Sequence, residues 1–194
     1  MPGLQHGPLD AAAVHLCIDM QRLFAPGSPW QVPWLVKILS RVERCHAPYH
    51  NVLEETCRRV HREFGAAMLI DCHSMPSSTG PKDERPRADV VLGDRYGTSC
   101  VAAVSEVIET TLRQQGYAVS RNKPYAGGYI TEHYGRPHKG QHALQIEVNR
   151  ALYMDETSFE KSSGFARLRE DLETVVRALM AGVFGLAIPR AAAE

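Results

Sequence analysis

Asp71-Cys72-His73-Ser74 is the most informative set of residues in this 194-residue sequence. On a strand, side chains alternate faces, so Asp71 and His73 share one face. Met68-Leu69-Ile70 before them is apolar, and Met75-Pro76 after them opens a turn. The pair therefore reads as the end of a buried strand, where ligands of open α/β sheets bind. A histidine there can hold a metal, move a proton, or simply bond to backbone, and a neighbouring carboxylate can fix its tautomer. Glu147 is the second candidate, because it interrupts the apolar run Leu144-Gln145-Ile146-Glu147-Val148. An unpaired buried carboxylate is costly. Glu147 thus reads either as one half of an ion pair with a helix residue or as a general base tuned by burial.

Two loops add polar candidates. Lys123-Pro124-Tyr125-Ala126-Gly127-Gly128-Tyr129-Ile130-Thr131-Glu132-His133 places two tyrosines, a lysine and a histidine around adjacent glycines. Glycines let a backbone approach a ligand closely, although an ordered surface loop with a tight turn explains the same residues. In Gly93-Asp94-Arg95-Tyr96-Gly97, Arg95 is suited to forking onto a carboxylate ligand or to pairing with a local acid. His46, His50 and Glu54 fall at helical spacing on one face. A solvated polar face accounts for them more simply than a metal site does.

These residues need elements to position them. Strands are expected at 14–19, 68–72, 89–93, 117–120 and 143–148. Helices are expected from Pro33 through Val42, from Pro48 to Phe64 with Gly65 as the stop, from a Ser99 cap to about Gln115, and from Phe165 to Phe184. The stretch from Met75 to Ala88 reads as an exposed loop, and that from Asn122 to Gly140 as a long functional one. Strands alternating with helices predict an α/β fold, a mostly parallel sheet with helices on both faces.

Composition narrows the function. The chain is 44% hydrophobic and 23% charged, and Lys+Arg equal Asp+Glu at 22 each, so bulk charge recommends neither nucleic acid nor a membrane surface as partner. No apolar run approaches the roughly 20 residues of a membrane span. Five cysteines without paired spacing, and no evident leader, fit a reducing, cytoplasmic setting. Nine histidines favour metal or acid/base chemistry.

From about residue 45 to 180 the sequence resembles the N-formylglutamate amidohydrolase family. The matching pieces are His46-Ala47-Pro48-Tyr49-His50, the 69–76 strand and turn, the 89–100 segment, the 122–137 loop and the 142–156 segment. The resemblance implies hydrolysis of N-formyl-L-glutamate to formate and glutamate in histidine degradation. It also implies a fold like those of zinc-dependent exopeptidases and aminoacylases, with zinc as cofactor and a metal-activated water. It makes His73 a metal ligand and Glu147 the general base. Tyr125, Gly127, Gly128 and His133 become substrate-loop residues, and Arg95 and Arg150 ligands for substrate carboxylates. The family's Pro-His-Ser/Ala-Gly stretch, expected to supply the first metal ligand, and its Asp-Leu-Asn-Arg stretch are not found here.

Residues 11–44 instead resemble the opening of isochorismatase-like cysteine hydrolases, through Val14-His15-Leu16-Cys17-Ile18-Asp19-Met20-Gln21-Arg22-Leu23-Phe24. A chimeric division into 1–44 and 45–194, N-terminally truncated in its second part, follows from the two resemblances. The expected ligand is a small N-acyl amino acid, and self-association into a homo-oligomer stays open. The alternatives are a non-catalytic remnant that binds or oligomerises and a cysteine hydrolase of the isochorismatase type.

Overall fold

The computed structural model describes residues 35–77 and 87–183, with side chains from residue 44 onward. The strand expected at 14–19 lies outside the described residues. The order is α1 (Leu35–Phe64), β1 (Ala67–Met75), β2 (Val90–Gly93), α2 (Ala102–Gln114), β3 (Val119–Arg121), α3 (Tyr129–Tyr134), β4 (Gln141–Asn149) and α4 (Gly164–Val183). Short 3-10 turns flank β4 at Pro137–Lys139 and Arg150–Leu152. The chain divides into two compact units, 1–56 and 57–194, whose boundary falls within α1.

In the first unit, Pro48 does not divide the helix. The sequence predicts two helices separated before it, but α1 is a single 30-residue helix with Pro48 inside. Proline removes one backbone donor and crowds the preceding turn. Pro48 is exposed, so the carbonyl it leaves without a helical partner can be met by water. His46 and His50 meet across one turn of this helix with ring centroids 4.1 Å apart and ring planes tilted by 48°.

The second unit holds a four-stranded sheet ordered β1-β4-β2-β3. The β1/β4 and β2/β3 pairings are parallel and β2/β4 is antiparallel, so the open sheet is mostly parallel by pairing. Leu144, Ile146 and Val148 of β4 join Val90 and Leu92 of β2 in the main apolar cluster. Val104, Ile108 and Leu112 of α2 and Leu168, Val175 and Leu179 of α4 complete it. Leu92, Ile108, Leu112 and Leu144 are fully buried, and each such side chain contributes about 1.5–3 kcal/mol. Tyr117, between α2 and β3, fastens that segment to α4 through a 2.7 Å hydrogen bond from its hydroxyl to Asp171 Oδ2.

The alternation that puts these residues under the helices puts their neighbours on the opposite face. Asp71 pairs with Gln145, and His73 with Glu147, across β1 and β4. Four polar side chains thus share the face away from α2 and α4. On that face α3 starts at Gly128, whose amide meets Gln145. The helix expected to be capped by Ser99 begins instead after Val101, without a side-chain cap. Ser99 serves β4, its carbonyl accepting from the Ala143 amide at 2.8 Å.

Candidate active site

β1 and β4 run parallel and end together, so their last turns of pleat carry the reactive groups to one place. His73 Nε2 lies 3.0 Å from Asp71 Oδ2, as the same-face reading of the sequence expects. His73 Nδ1 faces Glu147 Oε1 at 3.9 Å. Glu147 is 6% exposed. Its buried oxygen is satisfied by Gln145, whose Nε2 donates to Oε1 at 2.7 Å. The helix ion pair considered for Glu147 is not what holds it: its partners are Gln145 and His73.

Gln145 was not legible as a site residue, although Gln145-x-Glu147 repeats the period-two spacing of Asp71-x-His73. Its Oε1 accepts from the Gly128 amide at 2.8 Å, so the glycine loop is hydrogen-bonded through one side chain to the carboxylate.

The loop itself is seated by close approach. A Cβ on Gly93 would lie 2.6 Å from Gly127 N and 2.7 Å from the Ala126 carbonyl carbon. Gly127 has φ +116° and packs against Thr131, a backbone conformation that glycine alone adopts without strain. The Arg95 amide donates to the Ala126 carbonyl at 2.8 Å. Within the sequence that reads as an unpatterned loop, 129–134 is helical. His133 stacks on Tyr129 at 5.0 Å between ring centroids and is exposed, as is Tyr129. Tyr125 is half-buried in the same loop.

Arg95, Tyr96 and Gly97 form a left-handed turn with φ of 51°, 57° and 83°. For the two non-glycine residues this conformation is strained. Asp94 holds it: its carboxylate accepts from Asn122 Nδ2 at 2.8 Å, Ser105 Oγ at 2.9 Å and the Gly97 amide at 3.1 Å. Burial pushes the Asp94 carboxyl up. The hydrogen bonds from Asn122, Ser105 and Gly97, with the Arg121 charge, more than offset this and hold it below the usual carboxylate range. The Arg95 guanidinium pairs with the local acid Glu132 at 3.3 Å.

Arg150 follows β4 directly, and its Nε donates to Ser74 Oγ at 3.3 Å at the end of β1. It therefore stands at the same strand ends as His73 and Glu147. Glu156 joins this end through Ser77, whose amide and hydroxyl both donate to it.

Among the described residues, no three His, Cys, Asp or Glu side chains gather so that they could hold a metal ion. His73 has one ring nitrogen beside Asp71 and the other beside Glu147. A catalytic zinc usually takes three protein ligands, so the described donor set does not fit that cofactor. Cys45, Cys57, Cys72 and Cys100 are free thiols. Burial pushes the Cys100 thiol up to about 12, the opposite of what a thiolate nucleophile requires. Among the described residues, no helix is long and apolar enough to cross a membrane.

Fold and site together define an open-sheet α/β protein with an imidazole–carboxylate pair at the ends of two parallel strands. The N-formylglutamate amidohydrolase family model matches residues 17–154, and the chain belongs to that family. The match takes in most of the stretch that resembles isochorismatase-like hydrolases. The chain is 36% identical over 134 residues to the N-formylglutamate deformylase of Pseudomonas aeruginosa, covering 69% of this chain and 48% of that protein. It is 35% identical over 117 residues to the N-formylglutamate deformylase of Pseudomonas putida, covering 60% and 44%. The crystal structure of the N-formylglutamate amidohydrolase from Ralstonia eutropha JMP134 superposes with a TM-score of 0.71 at 37% identity, covering 78% of this chain and 56% of that one. The chain spans about half the length of the curated relatives it matches.

Proposed function

We propose that this chain is a hydrolase of the N-formylglutamate deformylase type, releasing formate and L-glutamate from N-formyl-L-glutamate. The observation that carries the reading is the register pairing of His73 with the buried, hydrogen-bonded Glu147 at adjacent strand ends. The names of the relatives supply the substrate.

In this reading Glu147 takes a proton from water as its oxygen attacks the formyl carbon. The carbon–nitrogen bond then breaks, and Glu147 returns the proton to the leaving amine, so no net proton is consumed. Asp71 orients the His73 ring, which stands beside the same carboxylate. Arg150 is placed to meet a carboxylate of the substrate at the strand ends. Arg95 would do so from the loop side on exchanging its Glu132 partner, and Tyr125, Gly127, Gly128 and His133 would line that side. The described residues do not make up the ligand set of the zinc that the family resemblance expects at His73.

That donor set also favours a second reading, a non-catalytic domain that binds an N-acyl amino acid without turning it over. Formate production from N-formyl-L-glutamate by the purified chain separates the two. Turnover supports the hydrolase, and calorimetric binding without formate supports the binding domain.

A further inference from the structure

We propose that Gln145 is a positioning residue that couples the seating of the Gly127–Gly128 loop to the orientation of Glu147. The inference rests on the hydrolase reading for its kinetic consequence but on geometry for the coupling itself.

Gln145 is 6% exposed and sits on the β4 face beside Asp71, its register partner. Its two amide ends are used differently. Oε1 accepts from the Gly128 amide at 2.8 Å, and Nε2 donates to Glu147 Oε1 at 2.7 Å. A backbone N–H can only donate and a carboxylate can only accept, so these partners enforce one orientation of the amide. The oxygen that Gln145 holds is also the one facing His73 Nδ1. Glu147 is thereby fixed through Oε1, and Oε2 is left to exchange the proton.

The loop end of the link is constrained as well. Gly127 is wedged against Gly93 and Thr131. The Gly128 carbonyl accepts from Thr131 Oγ1 at 2.8 Å and from the Glu132 amide at 3.1 Å, starting α3. Movement of this loop must break the hydrogen bond to Gln145 or pull on Glu147. A ligand that settles the loop therefore also settles the base.

Two substitutions divide the roles. Gln145→Met keeps the side-chain length and loses both hydrogen bonds. Gln145→Glu keeps an acceptor for the Gly128 amide and, as one of two adjacent buried carboxyls that share a proton, keeps a hydrogen bond to Glu147 while tying up the base. For Gln145→Met, kcat on N-formyl-L-glutamate should fall about 10–100-fold, as when an orienting partner is removed, and KM should rise. Exchange of the Gly128 amide, read by NMR, should quicken by about tenfold, the factor carried by one hydrogen bond. For Gln145→Glu, kcat should fall while KM and Gly128 exchange stay at wild-type values.

Wild-type Gly128 exchange in Gln145→Met overturns the proposal. So does exchange that quickens equally across the whole sheet in both variants, which marks Gln145 as merely structural. If the wild-type chain releases no formate, the hydrolase reading fails, and the coupling is then decided by exchange in Glu147→Leu. Faster exchange at Gly128 supports it, and unchanged exchange overturns it.

Discussion

His73 and Asp71 stand two residues apart on β1 with Nε2 and Oδ2 at 3.0 Å, and the other ring nitrogen turns toward Glu147. A carboxylate bound to one nitrogen decides which tautomer the ring adopts and which way it points. Asp71→Asn keeps a side chain of the same size but removes the charge. Formate release should fall about 10–100-fold, the usual cost of losing an orienting partner, with the thermal midpoint little changed. Wild-type kcat/KM in this variant would show that Asp71 does not orient the His73 ring for the reaction.

Gly93 is held by space rather than by φ. Its added Cβ would meet backbone of Ala126 and Gly127 at 2.7 and 2.6 Å, and backbone cannot rotate away. Gly93→Ala should cost about 1–3 kcal/mol through overpacking and should also lower turnover by lifting the loop off Gln145. At Gly128 the Cβ meets only Gln145 Oε1, at 3.4 Å, so Gly128→Ala should be the milder change. Denaturant unfolding of the two variants checks the order, and equal losses would contradict it.

Asp94 makes stability depend on pH. Its folded-state pKa lies below the ordinary carboxylate value, so its contribution is complete above roughly pH 4 and is lost as pH falls through the folded value. Asp94→Asn should be less stable at neutral pH by about 1–3 kcal/mol, because hydrogen bonds to a charged acceptor are given up. It should also show a shallower loss on acidification. Thermal melts of both proteins between neutral pH and pH 3 test this. Parallel curves would mean that Asp94 is not the acid-labile group.

Zinc retention follows from the donor set. With His73 the imidazole at the site and no three-donor group among the described residues, zinc loaded onto the chain should be lost on dialysis against metal-free buffer. Elemental analysis reads the outcome. Stoichiometric zinc that survives dialysis and disappears in His73→Ala would show that further ligands converge on His73.

The sheet and the pairing of Asp71 with His73 were legible in the sequence because both rest on period-two alternation along strands with a strong apolar face. Glu147 was legible because a charge inside such a run has to be explained. What escaped has physical reasons. Pro48 usually ends a helix, yet at an exposed position the lost hydrogen bond is inexpensive and α1 continues through it. Ser99 has the right chemistry for a cap but is drawn into a backbone bond with β4, a long-range pairing that local sequence does not announce. Arg95 carries two readings in sequence, and the structure places Glu132 beside it. Gln145 escaped because a neutral amide on a strand looks like ordinary polar alternation. Asn122, which adopts a positive φ of 58° and supports the Asp94 turn, escaped because its partners lie 28 residues away.

Proton transfer by Glu147 is the step on which formate release depends. Formate release from N-formyl-L-glutamate should be compared for the wild-type chain and Glu147→Gln, with melts confirming that both are folded. Loss of about 10²–10⁴ in kcat with the fold intact is the expected result for removing a general base. Equal formate release by the two proteins would contradict the account.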